Sequence, residues 1–232
     1  MRKLLAALLA LVAVSCAVGA VACTVAVGWS FADALDKFVV SNILIGLGFA
    51  LCGALIAWHR PTSALGWMYA AGGAAQALSA LAAPLAVLLQ HHAAPDWLVR
   101  LVVTGFQWAW PVDIALIPLS LLLLPDGRLA SRRWRPVMVA FAATAPLFVL
   151  EVGLGPAPDP TLPSAYLTLS QGSYDSLGWL WVVSELRWVL TVLAGVACLA
   201  WRYRCGDETV RRQLLWIVAA GAVIVAAVTP WA

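Results

Sequence analysis

Residues 101–136 read LVVTGFQWAWPVDIALIPLSLLLLPDGRLASRRWRP. An apolar run, Leu101–Leu124, is long enough at 1.5 Å per residue to cross a hydrocarbon layer of about 30 Å. Pro125-Asp126-Gly127 is a turn signal. A basic segment, Arg128–Arg135, follows, and a second apolar run begins at Pro136. Membrane-crossing helix, turn, basic loop, membrane-crossing helix is the unit from which the rest of the chain is read.

The 232 residues are 63% apolar and 11% charged, with a mean hydropathy of +0.92. A soluble domain carries roughly 25% charged residues, so lipid must replace water as the outer solvent. Backbone polar groups are then satisfied internally by helices of about 20 apolar residues. No segment alternates like an outer-membrane barrel strand. The predicted fold is all-α, a polytopic membrane bundle of about seven helices in one domain, 1–232. The spans read as 4–29, 39–58, 64–90, 101–124, 136–155, 177–201 and 214–230. The first follows Met1-Arg2-Lys3 and is too long for a signal-peptide core of roughly 7–15 residues, so a retained helix is expected. No tandem repeat of 20–50 residues is read.

Basic residues fix the orientation. With the N-terminus in the cytoplasm, the inner segments hold Arg2, Lys3, Arg60, Arg128, Arg132, Arg133, Arg135, Arg202, Arg204, Arg211 and Arg212. The outer loops hold Lys37 and Arg100 only. This positive-inside bias alternates at every loop and supports seven crossings independently of hydropathy. The outer segment Pro156–Asp175 is stiffened by Pro156, Pro158, Pro160 and Pro163. Trp29, Trp58, Trp97, Trp134, Trp179, Trp201 and Trp231 mark span ends, as interfacial anchors do. The location expected is the plasma (inner) membrane.

Four charges fall inside spans, where burial costs about 2.5–3.5 kcal/mol or more: Asp113, Glu151, Glu185 and Arg187. At 1.5 Å per residue Asp113 lies roughly 16 Å from the inner face. Glu151 and Arg187 lie at roughly 22 and 21 Å, which predicts a Glu151–Arg187 ion pair. Glu185, two residues from Arg187, points to another face. Interhelical glue is the bland reading of this set. A ligand pocket open to the outside and an ion path are the functional ones.

Cys16, Cys23, Cys52, Cys198 and Cys205 show no CxxC spacing and read as small packing residues. His91-His92 with Asp96 falls short of a convergent metal set. No phosphate loop, HExxH or GxSxG occurs. No cofactor, metal or catalytic residue is expected. Arg128, Arg132, Arg133, Arg135, Arg202, Arg204, Arg211 and Arg212 read as contacts to lipid headgroups or a cytoplasmic partner, not to nucleic acid.

The inner loops carry a resemblance. Leu121–Pro136, LLLLPDGRLASRRWRP, resembles the "LLFPDGRLPSRRWRP" loop of actinobacterial membrane sensor histidine kinases. Arg60-Pro61-Thr62-Ser63-Ala64-Leu65-Gly66-Trp67 resembles their "RRPxNPIGW", with Ala64 replacing the usual proline. Arg202-Tyr203-Arg204 through Arg211-Arg212-Gln213-Leu214-Leu215-Trp216 resembles "RxR…ERQQLRW". The resemblance covers nearly the whole chain and implies the N-terminal multi-helix sensor region of a two-component kinase. The family's eighth helix, phosphoacceptor pair and ATP-binding domain have no counterpart up to Ala232. Seven crossings would leave Ala232 outside, so these residues are not expected to be an enzyme. The expected function is a sensory or regulatory membrane module. Its partners would be the bilayer and a second copy or a cytoplasmic kinase or regulator. A small transporter or channel is the alternative.

Overall fold

The computed structural model describes residues 1–156 and 161–228, with side chains in the last helix described through Ala219 apart from Ile217. Pro158, Pro160, Trp231 and the end of the seventh predicted span lie outside the described residues. The chain is an all-helical bundle in which six helical segments are long and apolar enough to cross a membrane.

The first crossing is α1 (Arg2–Val27). A short helix, α2 (Phe31–Asp36), follows it and leads into α3 (Val39–His59). Then come α4 (Ala64–His91) and α5 (Asp96–Leu123). A 3₁₀ turn at Arg132–Trp134 leads into α6 (Arg135–Thr144) and α7 (Pro146–Leu154), which together make one crossing. A second short helix, α8 (Gln171–Ser176), precedes α9 (Gly178–Cys205) and α10 (Glu208–Val228).

Six predicted spans match the membrane-length apolar helices with ends shifted by up to five residues, and the seventh, 214–230, falls on α10, which is not among those six. Three details differ. The fifth of these segments is not one helix, because Pro146 cannot donate to the helical ladder and its ring crowds the preceding turn. The loops expected to lie outside also hold structure. Ser30 caps α2 in a reciprocal box: Asp33 N–H donates to Ser30 Oγ (3.2 Å), and Ser30 N–H donates to Asp33 Oδ2 (2.8 Å). The hydroxyl and amide of Ser30 hold the Asp33 carboxyl below its usual range. This cap is therefore complete above the ordinary carboxylate pKa and is lost as pH falls through the lower folded value. Arg100, read as a loop residue, lies inside α5, where its guanidinium stacks over Tyr166 at 4.5 Å and donates to Ser164 O.

The core sits in α1, α3, α4 and α5. The closest approach of α3 and α4 is a seam of glycine and alanine. A methyl group added to Gly53 would lie 2.2 Å from the Ala70 nitrogen, and one on Gly73 would lie 2.2 Å from the Ala50 nitrogen. Gly46 meets Ala77 and Gly66 meets Ala57 in the same way, at 2.7 and 2.8 Å. The register is antiparallel: 46 with 77, 50 with 73, 53 with 70, 57 with 66. The 4-3-4 spacing is that of an interhelical seam. Between helices in lipid, close backbone approach of this kind supplies the van der Waals packing that a hydrophobic effect cannot. The pattern Gly-x₃-Ala-x₂-Gly-x₃-Ala occurs at 46–57 and again at 66–77. It is too local to count as a structural repeat, but it encodes the pairing.

α4 is covered on two faces. Gly73 looks to α3 while Gly72 receives Asp113 of α5, whose Oδ1 would be 2.4 Å from an added methyl. α1 lays Ala6, Ala13, Cys16, Ala17 and Ala20 against α3 and α4. The second half of the chain is looser. α6 buries no side chain, and α7 buries only Glu151 and Gly153. α9 leans on α5 through Gly195 at Leu121 and Cys198 at the Leu122 carbonyl.

The two ends of the bundle differ in charge. One end gathers Lys3 (over the Trp58 ring at 5.4 Å), Arg60, the 124–135 segment and the α9–α10 corner. The other holds α2, the α4–α5 turn and α8 with the segment before it.

Candidate functional site

Polar side chains in apolar spans converge where α5, α7 and α9 meet, in the half of the bundle nearer α8. Gln107 and Trp108 come from α5, Glu151 from α7, and Ser184 and Arg187 from α9. Gln107 Nε2 donates to Val152 O (3.0 Å) and Gly155 O (2.6 Å), satisfying carbonyls that the end of α7 would leave open. Trp108 lies flat on Gly153, where any added methyl would sit 2.6 Å from the indole.

Glu151 is 9% exposed, Arg187 7% and Ser184 not at all. Ser184 and Glu185 flank Glu151 together with Arg187. The predicted Glu151–Arg187 ion pair is not made. Among the described residues, pairs within 4.0 Å are Arg202–Asp126 and Arg212–Glu208. The depth estimate counted along one unbroken helix from Pro136, whereas the break at Pro146 alters the register of α7. Ser184 therefore lies beside Glu151, one turn outward of Arg187. Arg187 Nη1 instead approaches the Phe141 carbonyl of α6 at 3.5 Å, and its own carbonyl accepts from Thr191.

Six buried polar atoms of these residues have no hydrogen-bond partner within the described protein: Gln107 Oε1, Trp108 Nε1, Glu151 Oε2, Ser184 Oγ, and Arg187 Nε and Nη2. Buried polar atoms are partnered more than about 90% of the time, so such a cluster on three helices is unusual. It offers donors of three kinds, one amide acceptor and one carboxylate acceptor. Tyr174 of α8 closes the outer side. Its ring stacks on Trp181 at 5.1 Å, and Trp181 Nε1 donates to the Tyr174 carbonyl (3.0 Å). Burial, then Glu151, Glu185 and Asp175, push the Tyr174 phenol above its ordinary value. No match came from comparisons with family models, curated proteins or solved structures.

Asp113 lies apart from this group, and Glu185 borders it from an exposed face. Asp113 is 1% exposed between α4 and α5, ten residues from the end of its helix, with Oδ2 unpartnered. Toward the basic end, Tyr69 donates to Ser120 (3.1 Å). On the α3 side, Gln76 donates to Asn42 (2.8 Å). Glu185 is exposed on an apolar face of α9 among Val182, Leu186 and Val189, on another face from Arg187 as expected.

The basic residues divide by partner. Arg202 bonds Asp126 (3.0 Å) and the Arg128 carbonyl, fastening α9 to the turn after α5. Arg211 donates to Tyr203 O and Arg204 O, and Arg212 pairs with Glu208. Arg132, Arg133, Arg135 and Arg204 are exposed.

Gln107, Trp108, Ser184 and Tyr174 were not singled out from the sequence. The signal for Ser184 was present: Ser184, Arg187 and Thr191 recur at i, i+3 and i+7, one face of a helix. Trp108 and Tyr174 carried none, since tryptophan and tyrosine near span ends read as anchors. Among the described residues, no group of three or more His, Cys, Asp or Glu could hold a metal.

Proposed function

We propose that the chain is a sensory or regulatory module of the plasma membrane. It crosses seven times with its N-terminus in the cytoplasm, and it is similar to the N-terminal region of a two-component sensor histidine kinase. The six unpartnered polar atoms between α5, α7 and α9 carry the reading. They favour a small polar ligand, with an anionic group for Arg187 and Trp108 and a donor for Glu151. α9 spans from this cluster to Arg202, so a shift of its packing reaches the basic loops and a partner bound there. The reading assigns no catalytic step to these residues.

Glu151→Gln and Arg187→Gln at equal membrane abundance are expected to abolish or lock a downstream signal in a cell-based reporter. An unchanged response in both removes the ligand site. Topology has its own test. Cys205 is exposed at the basic end, so an impermeant maleimide is expected to label it in inside-out vesicles and not in intact cells. Alkaline phosphatase fused after Ala232 is expected to be active. An inactive fusion means an even number of crossings.

The second reading, a small transporter, is favoured by Asp113 alone, because a buried unpartnered carboxylate in the middle of a span is a feature of ion paths. Proton or cation flux into liposomes that is lost in Asp113→Asn would replace the sensory reading.

A further inference from the structure

At the basic end, Arg132, Arg135, Pro136 and Val139 line an open recess of about 660 Å³. The recess is amphiphilic. The guanidinium groups come from the 3₁₀ turn and the first residue of α6, and Val139, 58% exposed, continues the wall into the apolar part of the span. Residues 132, 135–136 and 139 fall on one side of a helix.

Among the described residues neither Arg132 nor Arg135 has a protein acceptor, a property they share with Arg60, Arg133 and Arg204. Arg202, Arg211 and Arg212 bond carboxylates or carbonyls. Among the described residues the two ion pairs use neither Arg132 nor Arg133 nor Arg135. Trp134 between them is half-buried, as an interfacial anchor is. A second recess at this end, about 280 Å³, is lined by His59, Arg60 and Ser63 but also by Asp126, whose carboxylate disfavours an anion.

We infer that this recess is a binding site for one anionic phospholipid. The headgroup phosphate accepts from Arg132 and Arg135 in the bidentate geometry that guanidinium groups favour, and an acyl chain lies along Pro136 and Val139. The topology proposed above decides only which leaflet supplies the lipid.

Delipidated protein in mild detergent is titrated with phosphatidylglycerol or phosphatidylcholine, and bound lipid is counted by native mass spectrometry. One phosphatidylglycerol is retained at concentrations where phosphatidylcholine is lost. Arg132→Gln and Arg135→Gln each lower that occupancy at least fivefold, whereas Arg60→Gln changes it less than twofold. Equal losses in all three variants would mean diffuse charge attraction and overturn the site. Displacement by 10 mM inorganic phosphate would mean a soluble-anion site and overturn the lipid assignment. Should the glutamine variants lose their helical circular dichroism, Arg132→Lys and Arg135→Lys decide: they must still prefer phosphatidylglycerol, or the proposal fails. Lipid counting in detergent does not depend on sidedness, so its failure is separate from failure of the topology.

Discussion

Gly53→Ala is expected to destabilise the bundle by about 3 kcal/mol, the upper end of what overpacking costs. The new methyl would meet the Ala70 nitrogen at 2.2 Å and the Tyr69 carbonyl carbon at 2.6 Å. Neither is the movable end of a side chain, so α3 and α4 must separate and the seam on either side loosens. Gly73→Ala repeats the clash from the other helix, against the Ala50 nitrogen. Gly48→Ala is the control. It lies in the same helix with open space around its would-be methyl, and glycine to alanine there should stabilise by roughly 0.5–1 kcal/mol. The measurement is the midpoint of denaturation in detergent for the three variants. Equal midpoints for Gly53→Ala and Gly48→Ala would remove the backbone-to-backbone seam.

Glu151→Gln and Arg187→Gln are expected to lower stability by roughly 1–3 kcal/mol each, because either change removes the nearest opposite charge from a buried group that already lacks hydrogen-bond partners. The double variant should lose less than the sum, by about 1 kcal/mol or more, since the two groups act on each other across one small volume. Strict additivity in a double-mutant cycle would mean that the two are independent. Ser184→Ala serves as a second probe. It removes an unpartnered buried hydroxyl beside Glu151, so its effect on stability should be small, while an effect on signalling would mark the hydroxyl as a ligand contact.

The class of fold and the placement of its helices were legible in the sequence because both depend on one-dimensional quantities. A run of apolar residues must exceed the hydrocarbon thickness, and Leu101–Leu124 or Val39–Trp58 does so wherever its neighbours lie. The separation of basic residues is one-dimensional as well. It needs only the order of spans and loops, and the grouping of Lys3, Arg60 and Arg202 at one end follows from it.

The site was legible only in part. Asp113, Glu151 and Arg187 announced themselves because a charge in an apolar run is rare and costly. What they touch did not follow. Depth counted along the chain paired Glu151 with Arg187, and a proline break one and a half turns before Glu151 undid that register. Gln107 and Trp108 belong to the cluster only because α7 ends against α5, a contact between residues more than forty positions apart.

Sequence by itself determined which segments are helices long and apolar enough to cross a membrane and which end is basic, since transfer free energies add residue by residue along the chain. Tertiary structure alone decided how the crossings pair and what the buried charges meet. Inside a bilayer every helix is apolar on all sides, so hydrophobicity no longer selects a partner face. Selection falls to shape. Gly46, Gly53, Gly66 and Gly73 draw α3 and α4 together, Gly72 admits Asp113, and Gly153 admits Trp108.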